Sequence, residues 1–221
     1  KIMSSQPTIR LSLPSKGRLE IDALEFLAEA GLRVFKPNPR QYQAEVPALP
    51  ELGIIFQRPG DIVVSVRQGS IDFGIAGIDL IEEKRGGNGD ILLLHDSLGF
   101  GYCSLALAIP ETWNDVVDMP SLQKYSQSLN RPLRVATKFP VLTERFLSKY
   151  DIPHTLIAAE GTLETAPTIG YADIISDLVS SGQTLKDNRL RQLPDGVIQR
   201  SQAALIANKK TLQTRPEVLE V

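Results

Sequence analysis

The stretch GIIFQRPGDIVVSVRQGSIDFGIAGID, Gly53 to Asp79, decides the fold class. Gly53 to Phe56 reads as a strand. Pro59 to Asp61 then opens a helix with Asp61 as N-cap, Ile62 to Arg67 fill it, and Gly69 stops it. Ile71 to Ala76 follows as a buried strand, and Gly77, Ile78 and Asp79 open the next helical segment. Strand and helix alternate here, which is how an α/β chain builds a sheet covered by helices.

Working outward, the alternation continues. Ile9 to Leu13 alternates as a strand and leads through Pro14, Ser15, Lys16, Gly17 and Arg18 into a helix whose face is Ile21, Leu24, Leu27 and Ala28, closed by Gly31. Arg85 to Asp90 is a Gly-rich turn and Ile91 to Leu94 a strand. The glycines of Gly99, Phe100, Gly101 mark a domain crossover. After them the pattern restarts: Cys103 to Ile109 and Leu133 to Ala136 are apolar runs, Pro140 to Tyr150 a helix with Pro in its first turn, and Val197 to Ala207 a closing strand. An internal echo links the halves. Gly69 and Asp72 bracket a helix-to-strand junction, and Gly170 and Asp173 repeat that spacing. The expected architecture is two α/β lobes, residues 1–101 plus about 187–221 and residues 102–186, facing each other across a central cleft with ligand near the strand-end loops. Thr214 to Val221 reads as a helix that has barely begun, so a longer parent chain is expected.

Composition narrows the function classes. The 221 residues are 42% hydrophobic and 23% charged with net charge −2, which argues against a disordered chain and a general nucleic-acid binder. Cys103 is the single cysteine, so no intrachain disulfide or cysteine-cluster metal site is expected, and its place in an apolar run reads as core. No apolar run has the length of a membrane span, and Lys1 to Pro7 lacks the apolar segment of a signal peptide; a soluble cytoplasmic protein is the expectation.

Two regions offer anion chemistry. In Glu160 to Leu185, Gly161 suits backbone angles closed to other residues, Thr162 and Thr165 offer hydroxyl and amide donors, and Leu163, Ala166 and Ile169 recur at helical spacing behind them. The stretch reads either as a phosphate cradle at a helix N-terminus or as an ordinary helix capped by Thr162 with Glu164 or Thr165 in its first turn. Lys16 and Arg18, flanking Gly17 after the first strand, suit a phosphate or pyrophosphate, with solvated surface charge as the rival. Arg58 and Asp61 read as cleft residues or a local ion pair, and Asp79 as a cap or a polar ligand contact. Asp173 and Asp177 read as partners of a metal-bound pyrophosphate or as Asx-turn residues. His95 and His154 have no partner at metal-ligand spacing and receive no catalytic role. No nucleophile elbow, Walker A loop or dinucleotide glycine fingerprint occurs, which weakens hydrolase and redox readings.

Six blocks in order, LSLPSKGRLEIDALEFLAEAGL, FQRPGDIVVSVRQGSIDFGIAGIDLI, LGFGYCSLALAIP, RVATKFPVLTERFL, the 160s loop with GYADIISDLVSSGQTLKDNRL, and SQAALIANKK, resemble the ATP phosphoribosyltransferase family over Ile9 to about Lys210. Glu160 departs from the Asn or Asp often found there, and longer members continue into a regulatory domain. The resemblance implies a two-lobed fold of the type II periplasmic-binding-protein kind. It implies condensation of ATP with phosphoribosyl pyrophosphate to N1-(5-phosphoribosyl)-ATP and pyrophosphate with Mg²⁺ present, the first step of histidine biosynthesis. On matching positions, Glu160, Gly161, Thr162, Leu163, Glu164, Thr165 and Ala166, in the loop running to Pro167, would cradle the 5-phosphate and ribose, with Glu164 near the ribose or metal. Lys16, Arg18 and Arg58 would meet ATP and pyrophosphate, Asp79 a polar nucleotide edge, and Thr137 and Lys138 further contacts. Implied partners are a homo-oligomer, dimer or hexamer, and for short members a regulatory subunit related to histidyl-tRNA synthetase. A binding domain of the same fold without catalysis is the alternative. Porphobilinogen deaminase-like chemistry needs a cofactor-bearing cysteine in a further domain.

Overall fold

The computed structural model describes residues 8–220; the outermost residues of the expected first lobe, 1–7 and 221, lie outside them. The chain opens with β1 (Ile9–Pro14), α1 (Gly17–Glu29), β2 (Gln43–Glu45), β3 (Leu52–Gln57), α2 (Pro59–Gln68), β4 (Phe73–Gly77), α3 (Ile78–Lys84) and β5 (Ile91–His95). It continues with β6 (Cys103–Pro110), α4 (Met119–Ser128), β7 (Leu133–Thr137), α5 (Pro140–Lys149), β8 (His154–Ala158), α6 (Ala166–Ile169), β9 (Ile174–Val179), α7 (Gln183–Asp187) and β10 (Leu190–Ser201). It closes with β11 (Ala203–Asn208), α8 (Lys209–Thr214) and a 3₁₀ turn, Pro216–Glu220. Two compact units result: one runs to Gly101 and resumes at Gln202, and the other is Tyr102–Ser201.

The return therefore falls at Gln202 and not near 187. The run Val197 to Ala207, expected as one strand, is divided at Gln202: β10 pairs antiparallel with β6 in the second sheet, and β11 pairs with β4 and β5 in the first. Leu190 and Leu193 are buried in the second unit, so β10 cannot leave it without exposing them. At the C-terminal end, the helix expected from Thr214 is instead α8 ending at Thr214, followed by the 3₁₀ turn that buries Val218.

The first sheet has the order β2-β3-β1-β4-β11-β5, with β3, β1 and β4 parallel. Helix α1 buries Ala23 and Leu27 against Leu11, Leu13, Ile54 and Phe56. Ile21, expected on that face, is 54% exposed, because the buried stripe is centred on Ala23 and Leu27. Helix α2 lies on the other sheet face through Ile62, Val63 and Val66. It crosses β4 so closely that a Cβ at Gly74 would stand 2.6 Å from Ile62 Cγ2. Arg58 is the N-cap of α2, and Asp61, expected there, is two residues inside the first turn. The second sheet has the order β10-β6-β9-β7-β8, with β9, β7 and β8 parallel and β6 antiparallel to both its neighbours. Cys103 begins β6 half-buried, at the strand's edge and not in its core.

The echo in the sequence is a repeated joint. Gly69 ends α2 at φ 80° and Gly170 ends α6 at φ 90°, the left-handed cap that glycine adopts at low cost. Three residues later, Asp72 Oδ2 accepts the Arg10 backbone N–H at 2.8 Å and Asp173 Oδ2 accepts the Arg134 backbone N–H at 2.8 Å. Each aspartate returns its own N–H to the same arginine's carbonyl, at 3.2 Å and 2.8 Å. The joints pin β4 to β1 and β9 to β7 at the amino ends of the strands.

Asp173 is thus structural: it is bound by Arg131 at 2.7 Å and Arg134 at 2.9 Å, at the edge of the sheet opposite Asp177's end of β9. Burial pushes its carboxyl up, but the Arg131 and Arg134 hydrogen bonds outweigh burial and hold it well below the usual carboxylate range. A depressed folded pKa gives stability that is complete above the unfolded pKa near about 3.9 and fades as pH falls through the folded value. Asp173→Asn should therefore cost about 1–2 kcal/mol at neutral pH, solvent screening at the half-exposed arginines limiting the loss. Denaturant titrations should show the gap to the parent protein narrowing below about pH 4; a gap constant down to strongly acid pH would refute the charged clamp.

Candidate functional site

Each unit presents a set of loops at the carboxyl ends of three adjacent parallel strands, the edge where open α/β sheets bind ligands. In the second unit β8, β7 and β9 deliver Ala159 to Thr165, Lys138 with Phe139, and Asp177 to Val179. In the first, β3, β1 and β4 deliver Arg58, Ser15 to Arg18, and Ile78 with Asp79.

The loop of the second unit is held from below. Leu163 and Ala166 are both 0% exposed and pack with Ala136, Ile175 and Leu185. Their side chains are therefore anchors, and only their backbone faces outward chemistry. Glu160, Gly161 and Thr162 are exposed, and Glu164 and Thr165 half-buried. Among the described residues, none of the backbone N–H groups of residues 161–165 has a hydrogen-bond acceptor. Five successive backbone amides without an acceptor therefore lie over an apolar anchor, as donors available to a ligand.

The loop lacks the expected helix. Helix α6 has only four residues, begins at Ala166 after Thr165 as N-cap, and ends at Gly170; Thr162 caps nothing, and the Thr165 hydroxyl donates to the Thr162 carbonyl at 3.4 Å. Pro167 suits the first turn, but Gly170 stops the helix before a second one forms. The donors are thus loop amides more than a helix dipole. Gly161 does not use left-handed angles, contrary to expectation; a Cβ there would meet open space, so what it leaves is room.

Beside the loop, Asp177 carries an electrostatic signature. Burial pushes its carboxyl up, the Leu178 N–H works against that, and Glu164 adds to the rise while Lys138 opposes it. A buried hydroxyl chain fixes the strands that carry these groups: Thr143 Oγ1 lies 2.8 Å from Ser176 Oγ and 3.3 Å from Thr137 Oγ1, which accepts the Phe139 N–H at 2.9 Å. Sequence reading missed Thr143 and Ser176; a hydroxyl inside an otherwise apolar strand or helix face was the available signal.

In the first unit, Lys16 is the exposed N-cap of α1 and Gly17 holds φ 78°, which a Cβ would strain. The Arg18 side chain is 86% exposed and pairs with Asp22 at 2.8 Å, one turn on. Arg58 is exposed at the N-cap of α2. A relay missed by sequence reading holds that junction: the Ser12 hydroxyl lies 2.8 Å from Gln57 Oε1, and Gln57 Nε2 donates to Ser65 Oγ at 3.0 Å. Asp79 sits in the first turn of α3 but is 3% exposed, while Gly77 occupies the N-cap. The three cations are thus brought to one sheet edge and Asp79 is turned inside. His154 Nε2 is 2.5 Å from Glu144 Oε2 and His95 Nδ1 accepts the Ser97 N–H at 3.1 Å, so both histidines make local contacts. Among the described residues no group of three or more metal-ligating side chains occurs, and no helix is long and apolar enough to cross a membrane.

Known proteins resemble this chain in sequence and fold. The family model described as ATP phosphoribosyltransferase matches residues 58–221. "ATP phosphoribosyltransferase 2, chloroplastic" of Arabidopsis thaliana is 45% identical over 96% of this chain, which spans 52% of that protein. An ATP phosphoribosyltransferase of Brucella ovis is 38% identical over 94% of this chain and 93% of its own length. Among solved structures, an ATP phosphoribosyl transferase (HisG:HisZ) complex from Thermotoga maritima matches with TM-score 0.74 at 24% identity, over 96% of this chain and 93% of that one. The alkanesulfonate-binding protein SsuA of Xanthomonas axonopodis pv. citri matches with TM-score 0.55 at 13% identity, over 98% and 71%. Both structural matches speak for the fold alone, the type II periplasmic-binding-protein class.

Proposed function

Because the chain belongs to the ATP phosphoribosyltransferase family, we propose that it joins ATP to phosphoribosyl pyrophosphate, giving N1-(5-phosphoribosyl)-ATP and pyrophosphate in the first step of histidine biosynthesis. The observation that carries the reading is the row of free amides at residues 161–165. A 5-phosphate accepts hydrogen bonds from several converging N–H groups at once, and each such bond to an anion is stronger than a neutral one. Thr162 adds a hydroxyl donor, the Thr165 hydroxyl holds the loop through the Thr162 carbonyl, and Leu163 and Ala166 keep the loop from collapsing onto its own donors.

The reaction moves the anomeric carbon from a pyrophosphate oxygen to N1 of the adenine. As the C–O bond breaks, negative charge grows on pyrophosphate and positive charge on the sugar ring. Lys16, Arg18 and Arg58 stabilise the first, and holding both substrates in reacting geometry lowers the rest of the barrier, with no covalent nucleophile required. Mg²⁺ suits this donor set in its usual manner, shared between substrate phosphates and one or two carboxylates. Glu164 and Asp177 would hold it, and when bound it neutralises phosphate charge. Asp79, being buried, would act on a nucleotide only through a polar edge reaching into α3's first turn. As part of the same reading, the chain works in the cytoplasm, assembles as a dimer or hexamer, and in its short form takes a regulatory subunit related to histidyl-tRNA synthetase.

The test is direct. With ATP, phosphoribosyl pyrophosphate and Mg²⁺, the protein should generate the phosphoribosyl-ATP chromophore and equimolar pyrophosphate. Absence of both from a folded preparation would reject the proposal.

A further inference from the structure

The last rung of the parallel pair β7 and β9 carries two hydroxyls. Thr137 stands opposite Ser176, and both belong to the sheet face of Val135 and Ile174, on which α5 packs through Leu147. Asp177, one residue on, belongs to the opposite face with Ala136 and Ile175, where Leu163 and Ala166 anchor the amide row. Lys138 is the first residue of the turn that leaves β7, and it lies with Glu164 within electrostatic reach of Asp177.

The groups behind that rung are polar and sealed from water. Thr137, Thr143 and Ser176 are 1%, 0% and 0% exposed. From α5, Thr143 brings its Oγ1 to 2.8 Å from Ser176 Oγ and 3.3 Å from Thr137 Oγ1, so it bridges two strands from a third element. Thr137 Oγ1 accepts the Phe139 N–H at 2.9 Å, and the Phe139 carbonyl accepts the Thr143 N–H at 3.0 Å. Phe139 is held from both ends, and the turn it shares with exposed Lys138 cannot rotate without breaking one of these bonds. Packing alone does not call for hydroxyls here. Val135 and Ile174 fill the same face, and exchanging both partners of a buried hydrogen bond for apolar groups of the same shape is nearly neutral for stability. What an apolar rung cannot do is fix orientation, because a fully satisfied buried network rigidifies its members in one arrangement.

We propose that the Thr137–Thr143–Ser176 chain is a positioning device for the anion site: Thr143 sets the Lys138 turn and the Asp177 end of β9 against the amides of residues 161–165, so that cation, carboxylate and amides meet one phosphorylated substrate in fixed register. Thr143 touches no substrate, being fully buried behind the sheet, and acts through Phe139 and Ser176. This role rests on the reading of residues 161–165 as the phosphate site.

Calorimetric titration of the protein with inorganic phosphate, beside steady-state kinetics, separates positioning from stability. Thr143→Val should weaken phosphate binding and lower kcat/KM for phosphoribosyl pyrophosphate, each about tenfold or more, at a temperature where the variant is fully folded. Thr143→Ser, which keeps the hydroxyl, should restore both. Leu147→Ala, fully buried in the same helix and on the same sheet face, should lower Tm at least as far as Thr143→Val and keep the parental phosphate affinity. Parental phosphate affinity in folded Thr143→Val, no recovery in Thr143→Ser, or an equal loss in Leu147→Ala overturns the positioning role and leaves the phosphate site standing. A parent protein that binds no phosphate overturns the site and the positioning role together.

Discussion

Arg18→Ala is expected to lower kcat/KM by about a hundredfold or more while Tm stays within error of the parent protein. The two halves of this expectation rest on different observations. Activity falls because a guanidinium at the carboxyl edge of β1 would stabilise charge that grows as pyrophosphate leaves, and such donors cost most when their target is the transition state. Stability holds because the Arg18 side chain is 86% exposed, so its pair with Asp22, one turn away on α1, is screened from the arginine's side and contributes little. Arg18→Lys should recover part of the rate, since the charge remains and the fork is lost. Steady-state kinetics on variants checked by circular dichroism decide the matter; a folded Arg18→Ala protein with parental kcat/KM removes Arg18 from the machinery.

Leu163→Ala is expected to cost about 2–5 kcal/mol of stability and to raise the KM for phosphoribosyl pyrophosphate more than that for ATP. Leu163 is fully buried among Ala136, Ile175 and Leu185, with small residues on several sides that cannot expand into the space it leaves. It is also the middle residue of the amide row, so loss of the anchor frees the donors to sag toward the void or toward each other's carbonyls. Isothermal titration with inorganic phosphate separates the effects: weaker phosphate binding at a temperature where the variant is fully folded supports the cradle, and unaltered phosphate binding assigns Leu163 to packing only.

The site was legible in proportion to how local its causes are. Lys16, Arg18 and Arg58 could be read from their position just after strands, because a strand that ends before a helix must place that junction at the sheet's carboxyl edge. The loop at Glu160 to Ala166 could be read as a row of donors, but its form could not. A helix was expected from the spacing of Leu163, Ala166 and Ile169, yet Ile169 is 70% exposed and Gly170 ends the helix after one turn. Asp173 and Asp177 look equivalent on paper. One strand's length puts Asp173 in an arginine clamp at the amino edge and Asp177 beside Glu164 at the carboxyl edge. Asp79 reads as a cap by position, and the packing of α3 turns it inside.

What the chain's order of residues settles is periodic and short-range: where strands alternate with helices, where Gly69 and Gly170 end a helix, and that Gly69 with Asp72 and Gly170 with Asp173 repeat one spacing. These follow from backbone sterics and from the period of apolar residues, which act within a few positions. What only the tertiary structure decides is pairing between distant segments. It sends β10 to the second sheet and β11 to the first, joins Thr143 to Ser176, and brings Arg215 to Asp72. Such choices depend on which buried groups can find partners once all the strands are in place, and no window of sequence contains both members of the pair.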